Sequence, residues 1–246
     1  MTTRSANDAI FSTVIGKEYE MLKLICPAST EMSRLVGVTV GTYPHQDSEE
    51  LYLVELGGGT GITTLSILSA HEHVKILSID SEPTMQNQAK QHLAQWVQAG
   101  RLSFSGDDAL TALQKLADNS VDIVATAYTT HNFLHSYREQ VLKEIFRVLK
   151  PKGLFVNGDR YGLDDLRLHT QTIQDEVKSW FKVLTPLKRN DLLEQWLVHL
   201  FNDESEDHLM RESVAFTQMQ TAGFINIELT HRQGVSALVT AYKPGL

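Results

Sequence analysis

Glu55, Gly57, Gly58, Gly59 and Gly61, with Asp80 further on, have types and spacing that suit a nucleotide-like ligand. Glycines let the backbone turn tightly and bring its N–H groups close to a ligand. A carboxylate roughly twenty residues beyond such a turn is placed to accept hydrogen bonds from two ribose hydroxyls. Asp80 stands 19 residues after Gly61. A second run, Tyr128-Thr129-Thr130-His131-Asn132-Phe133, carries an imidazole suited to proton transfer near neutral pH.

These residues need elements to hold them. Leu51 to Leu56 are mostly apolar and read as a fully buried strand of a parallel sheet. Ile62, Leu65 and Leu68 follow at helical spacing, so a helix starts at Gly61. Strand, glycine turn and helix N-terminus make a nucleotide-type site. The spacing is not G-x-G-x-x-G: counted from Gly57 the last position is Ile62, and counted from Gly59 it is Thr64. That argues against a nicotinamide dinucleotide.

The pattern continues. Val74 to Ile79 form strand two, ending at Asp80. Ser81 can cap the next helix, Pro83 suits its first turn, and Met85, Ala89, Leu93 and Val97 give its buried face. Strand three, Leu102 to Ser105, leads into Gly106-Asp107-Asp108-Ala109. Strand four, Val121 to Ala127, leads into the histidine-bearing run, and ligands of open parallel sheets bind at such strand ends. A helix over about 137–149 precedes strand five, which ends in Asp159, Arg160 and Tyr161. Residues 163–222 form a helical excursion with two apolar stripes. Ile173, Val177, Trp180, Phe181 and Leu184 make one; Leu192, Leu193, Trp196, Leu197, Leu200 and Phe201 make the other. Ala222-Gly223-Phe224 then opens two last strands, 224–230 and 235–242.

The E-x-G-x-G-x-G segment at Glu55 resembles the first motif of the class I S-adenosylmethionine (SAM)-dependent methyltransferases. Gly106-Asp107-Asp108-Ala109 looks like that family's G-D-A-type motif. Arg147-Val148-Leu149-Lys150-Pro151-Lys152-Gly153 resembles its R-V-L-K-P-G-G segment, with Lys152 in place of a glycine. The ordered series covers residues 51–161. It implies a Rossmann-like, seven-stranded, mostly parallel sheet with an antiparallel last strand, flanked by helices and carrying a helical lid. The implied cofactor is SAM. Its ligands are Glu55, Gly57, Gly58, Gly59, Gly61, Asp80, Ser81, Ala109 and Ala127, with Asp107 or Asp108 at the adenine amino group. Met85 lies against the adenine or packs in the core. Residues 1–50 form helices over the cofactor, where Tyr19 caps the methionine end or simply packs. Residues 51–246 form the core, with the substrate lid at about 163–222. The layout also looks like carboxy-SAM synthase, a SAM-using enzyme that moves no methyl group. That family keeps an arginine near the position of Gln218 to hold the added carboxylate, and glutamine there argues against that activity.

The leading expectation is methyl transfer to an O, N or C atom of a small molecule. The alternatives are a SAM-using enzyme that does not methylate and a SAM-binding protein without turnover. His131 is the first candidate for a base, with Tyr128 beside it. Asn132, Arg160 and Tyr161 could face substrate, and Arg160 could instead bond Asp159. No metal is expected, because the histidines show no metal-like spacing.

Composition agrees with an enzyme of this kind. The 246 residues suit one α/β domain, and 42% hydrophobic content supports a core. Lys+Arg of 22 against Asp+Glu of 30 gives a net charge of −8 with no basic run, so a nucleic-acid footprint is missing. The single cysteine, Cys26, sits among apolar neighbours, reads as packing, and fits a reducing cytoplasm. No membrane span and no signal peptide are expected, and the assembly is a monomer or homodimer.

Overall fold

The computed structural model describes residues 17–44 and 50–245, with side chains from residue 21. The apolar group Ile10, Phe11, Val14 and Ile15 lies outside the described residues. Two helices come first, α1 (Lys17–Ile25) and α2 (Pro27–Gly41). Then follow β1 (Leu51–Leu56), α3 (Ile62–Ala70), β2 (Val74–Ile79), α4 (Pro83–His92), α5 (Ala94–Gln98), β3 (Leu102–Ser105), α6 (Ala109–Gln114) and β4 (Val121–Ala127). A short 3-10 turn, Thr130–Asn132, leads to α7 (His135–Val148) and β5 (Leu149–Arg160). The chain closes with α8 (Leu166–Leu184), α9 (Asn190–Asp203), α10 (Glu212–Ala222), β6 (Ile225–Gln233) and β7 (Ser236–Tyr242).

The seven strands form one sheet in the order β3-β2-β1-β4-β5-β7-β6. β1 to β5 pair in parallel, and β7 runs antiparallel between β5 and β6. The central strands carry apolar residues on both faces because helices cover both. One face packs Met32, Val36 and Val40 of α2 with Leu65 and Leu68 of α3 on Leu53, Ile123 and Val156. The other packs Val141 and Ile145 of α7 with Ala215 and Met219 of α10 on Val124, Phe155 and Val239. The order reverses between β1 and β4, which leaves a crevice at their carboxyl ends where a ligand fits.

Several details differ from the sequence expectation. The single helix expected after Asp80 is two, because the chain breaks at Leu93; Ala89 and Leu93 are buried, but Met85 and Val97 are exposed. α2 is a layer of the core whose Ser29 and Ser33 also line the cavity described below, and it approaches α3 closely: a Cβ at Gly37 would lie 2.2 Å from Ser66 Oγ. The 163–222 excursion divides. α8 and α9 make their own cluster around Trp180, Leu184, Leu193 and Leu200, joined by Ile25 of α1, whereas α10 belongs to the sheet. Phe181 and Phe201 leave their stripes and point outward. Lys152 takes φ +67 at the turn where the resembled segment has glycine, and its N–H bonds Lys243 O at 3.0 Å. No helix among the described residues is long and apolar enough to cross a membrane.

Candidate active site

The glycine turn leaves β1 and runs over the strand ends. Gly57 (φ +70) would carry a Cβ 2.0 Å from Thr129 Oγ1, so both sterics and backbone conformation demand glycine. Nothing lies within 4 Å of a Cβ built at Gly59, because that face opens into a cavity of about 430 Å³. Gly57, Gly58, Gly59, Asp80, Ser81, Met85, Asp107, Ala109, Ala127, Tyr128 and Asn132 line it. Asp80 Oδ2 accepts the Gly59 N–H at 2.7 Å and Oδ1 accepts the Glu82 N–H at 2.8 Å. The carboxylate is thus fixed at the wall, with lone pairs to spare.

The two neighbouring acids take separate tasks. Asp107 lines the cavity; Lys115 Nζ at 2.7 Å and Ser105 Oγ at 2.6 Å donate to it and hold its carboxyl below the usual range. Asp108 faces away and caps α6, accepting from Thr111 N–H and Oγ1 and from Tyr137 Oη. Those bonds, Thr111 first, lower its carboxyl to about 2.

Glu55 and Gly61 stand outside the cavity wall. Glu55 is fully buried beneath the turn, where Thr64 Oγ1 donates to its Oε2 at 2.6 Å and Ser78 adds a second bond. Burial outweighs those bonds and pushes its carboxyl up to about 7. Gly61 (φ +94) is the N-cap of α3 and packs against Leu93. Both shape the turn from behind. The side chain of Tyr19 lies outside the described residues; from the same N-terminal region, Leu22, Ser29 and Ser33 reach the cavity.

A second cavity of about 230 Å³ adjoins the first under α8 and α9. Leu22, Ser29, Met85, Tyr128, Asn132 and His199 line both, so the two share a wall. His131 reaches the second, not the first. Its Nδ1–H donates to Asp159 Oδ1 at 2.5 Å, which leaves Nε2 unprotonated in the neutral ring and directed to the lid. Asp159 is fully buried. Thr129 N–H, Thr130 N–H and Thr130 Oγ1 donate to its Oδ2, and Arg160 N–H to its Oδ1. Burial alone would raise this carboxyl, but His131 and these bonds hold it below its ordinary value.

Three expected roles need correction. Tyr128 (φ +51) wedges its ring between the cavities, edge-on to His131 at 5.7 Å, yet its hydroxyl bonds Ser236 Oγ. Burial pushes that phenol well above its usual value. Arg160 does line the second cavity. Its guanidinium, however, is taken by Glu176 at 2.8 and 3.2 Å and by Glu204 at 3.5 Å, rather than by the Asp159 carboxylate. Tyr161 is buried in the sheet's core, accepts from Asn157 Nδ2 at 2.9 Å, and reaches none of the cavities.

Arg138 escaped the sequence reading. Its buried guanidinium donates to Thr130 O, Phe133 O and His208 O, and so braces the turn that carries His131 against the chain after α9. The available signal was a lone arginine three residues before Val141, on the apolar face of α7. His199 and Asp203, on the inner side of α9, escaped it as well.

The sheet is Rossmann-like, with a glycine turn and two acids at its strand ends. A family model described as a methyltransferase domain matches residues 53–153. The chain is 31% identical over 112 residues to a demethylmenaquinone methyltransferase of Leptospira interrogans, covering 46% of this chain and 44% of that protein. It is 20% identical over 151 residues to a carboxy-S-adenosyl-L-methionine synthase of Salmonella paratyphi C, covering 61% of this chain and 58% of that protein. The chain thus spans about half the length of these relatives. In structure it is similar to an O-methyltransferase family protein from Burkholderia thailandensis, with TM-score 0.64 and 15% identity over 98% of this chain and 64% of that one. Residues 53–153 are thus similar to a methyltransferase domain, and the fold is similar to that of a solved O-methyltransferase family protein.

Proposed function

We propose that the protein binds SAM in the 430 Å³ cavity and transfers its methyl group to a small molecule held in the adjoining 230 Å³ cavity. The observation that carries this is the shared wall. Methyl transfer is an in-line displacement, and its main requirement is two reactants held about 3 Å apart in line. Two adjoining cavities, one built on the glycine turn and one under a pair of helices, support that reading.

The residues fit the cofactor. The open side of Gly59 admits a ligand against the backbone, the Asp80 carboxylate is fixed beside the turn where it can accept from a ribose, and Asp107 and Met85 line the same cavity, available to the adenine. Bound SAM would supply the activated methyl group. The protein's part is to align the acceptor and, where the acceptor must lose a proton, to take it. His131 is suited to that, because Asp159 fixes its tautomer and leaves Nε2 facing the acceptor cavity. Trp180 and Trp196, with ring centroids 5.7 Å apart, give the acceptor an apolar wall.

The similarity to carboxy-SAM synthase supports a second reading, a SAM-using enzyme that does not methylate. Gln218 speaks against it. It lies on α10, bonded to His135, and lines neither cavity. Calorimetric titration with SAM, S-adenosylhomocysteine and NADH tests the main reading. Binding of the first two and not the third is expected; NADH binding, or no binding of SAM, would overturn it. Labelled methyl groups then separate transfer from its alternatives.

A further inference from the structure

We propose that His131, His199 and Asp203 form a binding site for a divalent transition-metal ion inside the acceptor cavity. One donor atom from each side chain lies within 4.8 Å of the others. His131 Nε2 is 3.8 Å from Asp203 Oδ2, and His199 Nε2 is 3.7 Å from Asp203 Oδ1. These distances are too long for hydrogen bonds. They suit ligands of one ion: donors at about 2.1 Å from a tetrahedral zinc stand about 3.4 Å apart. His199 is half-exposed and can close the remaining gap.

Two further observations point to a cation. First, the His131 Nδ1–Asp159 bond fixes the ring so that Nε2 points at the Asp203 carboxylate, 3.8 Å away, with space between them. Second, Asp203 is about nine-tenths buried, and its Oδ1 has no hydrogen-bond partner among the described residues. Its other neighbour, Arg160 Nε, is 3.6 Å from Oδ2 and engaged with the carboxylates around it.

The donor set fits this class of ion. Two imidazoles and one carboxylate suit zinc, iron(II), cobalt and nickel, and leave coordination positions open. The Asp159–His131 bond is the outer carboxylate that such histidine ligands use. The open positions face the acceptor cavity, so an acceptor oxygen could join the ion there. The ion would then lower that oxygen's pKa, and His131 would serve as ligand instead of base. That consequence rests on the proposed acceptor pocket; the site itself does not.

The test uses the full chain, stripped with a chelator and titrated with Zn²⁺ and with Co²⁺, alone and with SAM present. One ion per chain is expected, with a visible cobalt spectrum of nitrogen and oxygen ligands. His199→Ala, at a half-exposed position, and Asp203→Asn should each weaken binding by about tenfold or more, and Asp159→Asn by about ten- to a hundredfold. His73→Ala, at an exposed position outside the cavity, should leave it unchanged. SAM titration of the His199 variant checks its fold. No ion bound by the unaltered chain, or equal binding by the His199 and His73 variants, would overturn the site. Failure of SAM binding with metal binding intact would strike the cofactor reading alone.

Discussion

The two adjoining cavities are built by different means. The cofactor cradle comes from short contiguous segments, each a strand end with a turn: residues 57–61, Asp80 to Ser81, and Asp107 to Ala109. Its essential groups are backbone N–H donors and two carboxylates whose places follow from where strands stop. The acceptor cavity draws on distant parts of the chain. His131 comes from a 3-10 turn, Asp159 from β5, Trp180 from α8, and Trp196, His199 and Asp203 from α9. Its polar groups are held by one another, through Asp159, Arg138 and the pair of Arg160 with Glu176. Under the proposed function, the first design holds the cofactor and the second the substrate.

The comparison breaks most severely at Gly57. Gly57→Val puts side-chain atoms on Thr129 and forces a left-handed backbone on a β-branched residue, so SAM binding should be abolished while circular dichroism still reports a folded sheet. Normal binding by a folded variant would remove the cradle from this site. The acceptor side is probed by His131→Ala. Loss of a positioned base lowers turnover by about 10²- to 10⁴-fold, with SAM affinity expected to change little, because His131 does not line the cofactor cavity. A variant that loses SAM affinity and turnover together would merge the two regions into one.

The same contrast explains what the sequence makes legible. Strands two, three and four fall on 74–79, 102–105 and 121–127, where the buried positions are mainly apolar and polar residues such as Lys75, Ser103 and Asp122 sit at exposed or half-buried positions. The cradle follows, since its residues are fixed by position relative to those strands. Which of Asp107 and Asp108 faces the cavity was not legible, because an N-cap and a ligand contact ask for the same residue type. The acceptor cavity was harder still. His199 lies 68 residues from His131 and on an apolar stripe, so no spacing joins them. Phe181 and Phe201 also misled, since a stripe on a short helix pair packs on only one side.

Glu55 sharpens the cradle's side of the comparison through pH. Its carboxyl is raised from 4.5 to about 7 in the folded protein. The folded state therefore holds a proton that the unfolded chain releases between those values, and stability falls as pH rises through that window. The contribution of this group is about 3 kcal/mol between pH 4 and pH 8. Denaturant unfolding of the ligand-free protein should show it, and Glu55→Gln should flatten the curve by that amount. Parallel curves for the two proteins would mean that Glu55 ionises normally and that the turn rests on a charged carboxylate.

The mildest test separates recognition from architecture within the cradle. Asp80 carries the Gly59 and Glu82 N–H groups before any ligand arrives, so Asp80→Ala both removes the ribose acceptor and loosens the turn. A hydrogen bond to a charged group is worth about 1.5–3 kcal/mol, which lowers SAM affinity by about ten- to a hundredfold. Asp80→Asn keeps one carbonyl acceptor and should recover part of the loss. If the turn alone mattered, both variants would fall in proportion to their lost thermal stability. If the ribose matters, Asp80→Ala should discriminate less than the parent between SAM and an analogue lacking the ribose hydroxyls, whatever its stability. Unchanged SAM affinity in Asp80→Ala would mean that the sugar is held elsewhere and that Asp80 serves only to shape the turn.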